Sequence, residues 1–171
     1  MKNKIVFLFA FLFFSFLPLN AYSEKIFSEQ LADKLPKIEN RECKFRQEKV
    51  LKNLQKPLVS NGNFKLVKGE GVYYETLYPV KSTVSYTNRD YKQINDIILA
   101  VSNKKYSKLD REFDLFYIGN KNMWTLKLEP KEVSRAYKYL DFILLKGSDK
   151  IDQIVIVTKD ESKTTQWFSE E

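Results

Sequence analysis

Between Phe45 and Pro79 the chain reads FRQEKVLKNLQKPLVSNGNFKLVKGEGVYYETLYP. Here side-chain character alternates with a period of two, which suits a strand and not the stripe of a helix. Cys43 and Phe45 oppose Lys44, Arg46 and Glu48, and Phe64 and Leu66 alternate with Lys65 and Val67. Lys56-Pro57, the tight turn Lys68-Gly69-Glu70-Gly71 and the corner Tyr78-Pro79 interrupt the pattern. Three antiparallel strands presenting apolar groups to one side are therefore expected, with a bulge where Asn61-Gly62 opens the second. Such a sheet must bury that side against something.

The rest of the chain supplies more strands and very few helices. Lys81 to Thr87 is rich in β-branched and aromatic residues. Glu112–Ile118 and Met123–Glu129 flank the hairpin signal Gly119-Asn120-Lys121-Asn122. Three further strands are expected near Tyr137–Lys146, Lys150–Lys159 and Lys163–Phe168, with a helical turn opening at Pro130-Lys131-Glu132. A helix over Ile26–Ile38 is expected from Phe27, Leu31 and Leu35 at intervals of four, ended or kinked at Pro36. A second helix, or helix pair, runs from Asp90 as N-cap to about Leu109, with Ile94, Ile97, Ile98 and Val101 on one face. The fold class is α+β, mainly antiparallel β. A long twisted sheet must curl, and two helices are too few for a layer of their own but enough to cover a concave apolar face. Such an arrangement can host an apolar cavity.

Met1–Ser23 is read as an export signal and set aside. Lys2 and Lys4 precede the apolar run Ile5–Leu17, Pro18 breaks it, and Ala21-Tyr22-Ser23 is a small-x-small cleavage pattern. The run is shorter than the ~20 residues a membrane span needs. Residues 24–171 then form a single domain, carrying 27 of the 29 basic residues and all 22 acidic ones, a charge of +5. The chain has no His and one Cys, Cys43. That excludes an internal disulfide, His-based nucleophilic triads and the usual zinc sets, and a buried, unreactive thiol is expected. The five Gly form no phosphate-cradling loop. Carboxylate pairs such as Glu112 with Asp114, or Asp110 with Glu112, would share a strand face, but nothing around them suggests a substrate pocket. No enzyme activity, cofactor or metal is expected. Dispersed lysines on an exported chain also argue against nucleic acid.

Several of these segments resemble those of a known family. The run opens on F-x-Q-x-K (Phe45–Lys49), passes through P-L-x-S-x-G-x-F-x-L (Pro57–Leu66) and closes on an aromatic pair and Pro79. Trp124–Lys131 matches a W-x-L-x-L-x-P-K strand and corner, and Ile151–Val157 with Asp160 and Thr164–Phe168 matches a closing hairpin. Together, from Phe45 to Phe168, they resemble the LolA-like periplasmic lipoprotein carriers, in a shorter, divergent branch. The resemblance implies an incomplete (half) β-barrel closed by helices, whose hollow takes the acyl chains of a lipoprotein or other lipid. It implies a monomeric periplasmic carrier that receives cargo from an inner-membrane donor transporter and delivers it to an outer-membrane acceptor.

On that resemblance Phe45, Phe64, Leu66, Tyr74, Trp124 and Leu126 line the cavity, and Ile94, Ile97, Ile98 and Val101 form the lid. Where the family carries an Arg before a Pro to latch the lid, this chain has Lys68 and Gly69, so Lys68 is the candidate latch. Tyr73, Tyr74 and Tyr78 either place hydroxyls at the cavity mouth or divide between core and surface. The rival reading is a periplasmic sensor, as the RseB-type proteins are, or an assembly factor, binding a protein partner through the same sheet.

Overall fold

The computed structural model describes residues 24–85, 92–120 and 122–170. The expected export signal, the expected cap Asp90, the last residues of the strand expected over Lys81–Thr87, and Lys121 of the expected hairpin turn lie outside the described residues. The strands are β1 (Glu24–Ile26), β2 (Arg41–Val50), β3 (Leu58–Val67), β4 (Gly71–Tyr78), β5 (Ser82–Ser85), β6 (Phe113–Asn120), β7 (Met123–Pro130), β8 (Leu140–Gly147), β9 (Ile151–Thr158) and β10 (Lys163–Ser169). The helices are α1 (Ser28–Lys34), α2 (Lys92–Ser102) and α3 (Ser107–Glu112), with a 3-10 turn at Arg135–Lys138.

Among the described residues ten strands join one antiparallel sheet in the order β1-β6-β7-β8-β9-β10-β2-β3-β4-β5. Short turns link β2 to β5 and β6 to β10 as meanders, and β10 returns to pair with β2, setting Phe168 opposite Phe45. Among the described residues no pairing joins β1 to β5, so the sheet is open. Cross-strand partners define a row on one face: Tyr117, Leu126, Leu145, Ile154, Gln166, Gln47 and Ser60. Each is the direct neighbour of the next, so the row is apolar through β9 and uncharged polar from β10 onward. On the opposite face Lys127 lies over the Phe142 ring and Arg46 over Trp167.

One hydrophobic cluster unites strand residues of the row's face with helical ones, among them Leu31 of α1 and Ile94, Ile97, Ile98 and Val101 of α2. Ser102 closes the end of α2, its hydroxyl donating to the Ile98 carbonyl at 2.7 Å. The β3 bulge is present, the register with β4 shifting between Asn61 and Gly62. Gly69 takes φ +83 in the expected turn, a conformation open to glycine at little cost.

Some expectations are corrected. The first helix spans only Ser28–Lys34; Ile26 belongs to β1 and Phe27 is 62% exposed, so the buried stripe reduces to Leu31 and Leu35. An edge strand cannot be read from three residues, which is why β1 escaped the sequence. β3 starts at Leu58, ahead of its bulge. Glu112 ends α3, so neither carboxylate pair sits on a strand face: Asp110 accepts from the Ser28 backbone N–H at 2.8 Å, and Asp114 pairs with Lys25 at 3.0 Å. The helical turn expected at Pro130 forms instead at Arg135–Lys138, where the Ser134 hydroxyl accepts from the Ala136 N–H.

Candidate functional site

The region richest in interacting aromatics lies where β10, β2, β3 and β4 meet. Phe45 and Tyr74 stack edge to face with centroids 5.3 Å apart, Phe64 meets Tyr74 at 5.1 Å, and Phe64 meets Phe168 at 4.4 Å. Strand register puts them together: Phe64 pairs with Tyr74, and Phe168 with Phe45. Ile98 of α2 faces this group. With Phe64, Leu66, Ile154, Phe168 and Ile38 it encloses a cavity of only about 10 Å³, too small for an acyl chain without movement of α2.

Next to it is a more open hollow of about 250 Å³, lined by Phe45, Tyr74, Pro79 and Val80 and by no charged residue. Its polar wall is the end of the strand row. The Tyr74 hydroxyl donates to Gln166 Oε1 (3.3 Å), Gln166 Nε2 to Gln47 Oε1 (2.8 Å), and Gln47 Nε2 to the Ser60 hydroxyl (3.2 Å). Gln166 is 5% exposed, and this ladder supplies the partners that a buried amide requires. The arrangement joins an apolar surface to a neutral hydrogen-bonding strip, and it holds no nucleophile or acid–base pair.

The six expected cavity residues are all buried on the same sheet face, but they do not form one lining. Phe64 and Leu66 line the small cavity, and Phe45 and Tyr74 the open hollow. Trp124 and Leu126 line neither; Trp124 Nε1 donates to the Ser148 carbonyl at 2.6 Å, fastening the β8–β9 turn. The four expected lid residues are all buried. Tyr73 is half-buried and Tyr78 is 56% exposed, so the tyrosines divide between core and surface.

Lys68 shows no latch contact among the described residues. Its backbone N–H donates to Asn40 Oδ1 at 2.8 Å, and its side chain makes no ion pair or hydrogen bond among the described residues. Lys150 and Arg41 are the cations that line the small cavity, and the side chain of Arg41 is 9% exposed. It donates to the carbonyls of Ile151 (2.5 Å) and Phe168 (3.3 Å) and lies 3.3 Å from Glu170. Glu170 is also bonded to Lys150 at 2.8 Å, and that lysine holds its carboxyl below the usual range. Arg41 opens an alternating strand as any surface arginine would, so only the β10–β2 pairing reveals its position. Gln47 and Gln166 were equally hidden, although each breaks an otherwise regular pattern. Cys43 is half-buried against the core, and burial pushes its thiol pKa up, as an inert thiol requires.

Among the described residues no helix is long and apolar enough to cross a membrane, and no cluster of three or more His, Cys, Asp or Glu residues could hold a metal. No family model matches the chain, and no curated protein does. Among solved structures, the LolA superfamily protein NE2245 from Nitrosomonas europaea aligns over 85% of this chain and 92% of its own, with 9% identity and a TM-score of 0.41. A likeness so remote lends no weight to any function.

Proposed function

We propose that this chain is a periplasmic carrier of acylated cargo, a lipoprotein or another lipid, exported by a cleaved signal and acting without covalent chemistry. In this reading the helices cover the concave apolar face, α2 is the lid, and acyl chains enter between Ile98 and the Phe45–Phe64–Tyr74–Phe168 aromatics. The observation that carries it is the junction of that apolar face, where Ile98 of α2 closes the small cavity, with a neighbouring hollow lined by no charged residue. Each buried methylene contributes ~0.8 kcal/mol, in the protein or in the bilayer alike. Transfer from membrane to carrier is therefore close to balanced, and lid displacement sets the direction and rate. Shuttling from an inner-membrane donor to an outer-membrane acceptor is the corresponding role for a monomer of this kind.

The test is native mass spectrometry of protein purified from its own periplasm without detergent, followed by titration with a fluorescent palmitoyl probe. A lipid-mass adduct and saturable probe binding, lost in Phe64→Glu and in Ile98→Glu, are expected. A clean polypeptide mass with no probe uptake would overturn the carrier reading. The rival reading as a sensor or assembly factor draws on the outer edges of β1 and β5, unpaired among the described residues, which can pair with a partner strand. Both edges are short, three and four residues, which limits such pairing.

A further inference from the structure

We infer that a basic groove on the outer side of α2 and α3 is a docking site for an acidic peptide segment of a protein partner. The groove has a volume of about 880 Å³ and reaches from α2 and α3 to Arg135 and Tyr139. Five cations line it, Lys92, Lys105, Lys108, Arg111 and Arg135, against the carboxylates Asp96 and Glu112. Its net charge is thus +3, out of the +5 carried by residues 24–171. Four of these cations come from the α2–α3 segment, and the fold adds Arg135 from the turn before β8.

The cations are also unspent. Lys92 is held by Asp96 at 2.8 Å, but the other four side chains make no ion pair or hydrogen bond among the described residues. Elsewhere lysines pair closely, as Lys25 does with Asp114, Lys65 with Glu42 and Lys150 with Glu170. Unpaired cations converging on a concavity raise the local potential and steer an anionic partner. Half-buried Leu99 and exposed Tyr139 add apolar contact between the charges, and Tyr139 bridges to α2 by donating to Gln93 at 2.6 Å. A concave site favours a protruding chain over a flat bilayer, which would touch only the rim. An acidic segment with interspersed apolar residues fits this combination of charge and shape.

The inference is independent of the carrier reading, and its test uses no lipid cargo. The probe is a short fluorescein-labelled peptide of alternating Glu and Leu, followed by fluorescence polarisation at low and high salt. Saturable binding that weakens with salt is expected, with roughly tenfold weaker binding for Lys108→Glu/Arg111→Glu and a smaller loss for Arg135→Gln. Lys163→Glu, on β10 and away from the groove, should bind as the unaltered chain does. Thermal melts matching the unaltered chain establish that the variants fold. No saturable binding, or equal binding by the groove variants, would overturn the proposal. So would groove-dependent retention on phosphatidylglycerol vesicles without peptide binding, which would assign the surface to a membrane.

Discussion

Asn95 is 1% exposed in α2, and neither its amide nitrogen nor its carbonyl oxygen has a hydrogen-bond partner among the described residues. A buried polar group left unpaired costs about 1–3 kcal/mol, and this one sits on the helix proposed to move. The orphan amide weakens the packed position of α2 and lowers the work of displacing it. Asn95→Leu is expected to raise stability by about 1–3 kcal/mol, seen as a higher denaturation midpoint, and to slow uptake of the palmitoyl probe. A midpoint at or below that of the unaltered chain would contradict this. Tyr106 presents a second orphan: 2% exposed, its hydroxyl unbonded among the described residues, its pKa pushed by burial from 10.0 up to about 12. Because the folded pKa is raised, the stability linked to the neutral phenol is complete below pH 10 and is lost as pH rises towards about 12. Tyr106→Phe should therefore hold its stability further into alkali in a denaturant series, and should gain roughly 1 kcal/mol at neutral pH.

At the level of elements, the β3–β4 pair depends on close backbone approach at the bulge. A Cβ built on Gly62 would lie 1.9 Å from the Glu75 carbonyl oxygen, backbone that cannot swing aside. Gly62→Ala is expected to destabilise the protein by about 1–3 kcal/mol, measured by urea unfolding. It should also loosen the register that places Tyr74 beside Phe64. The elements with strong periodicity were legible in advance: β2, β3, β4, β6, β7 and α2 alternate or recur over seven or more residues, enough for the period to declare itself. α1 was over-extended because Phe27 continues a helical spacing, although the chain at Ile26 is already committed to β6. The turn at Arg135–Lys138 was displaced from Pro130 because Pro130 still pairs with Phe113 in the sheet.

Across the whole molecule, the β10–β2 pairing brings the two meanders into one sheet and assembles the site. It sets Phe168 beside Phe45 and Phe64, aligns Gln166 with Gln47, and lets Arg41 reach the Ile151 and Phe168 carbonyls. If α2 is the moving lid, saturation with the palmitoyl probe should change hydrogen exchange in residues 92–102 while β7 and β8 keep their protection. Uniform change across the sheet would instead point to loosening of the entire domain. Alternation, helical spacing and turn chemistry are local, so strand identity, an antiparallel class and the buried side chains of each strand could be read directly from the residues. Which strands become neighbours is a long-range choice made by packing. For that reason the separation of Trp124 from the aromatic group, the position of Arg41, the glutamine ladder and the joining of Arg135 and Tyr139 to the α2–α3 cations emerge only when distant segments meet.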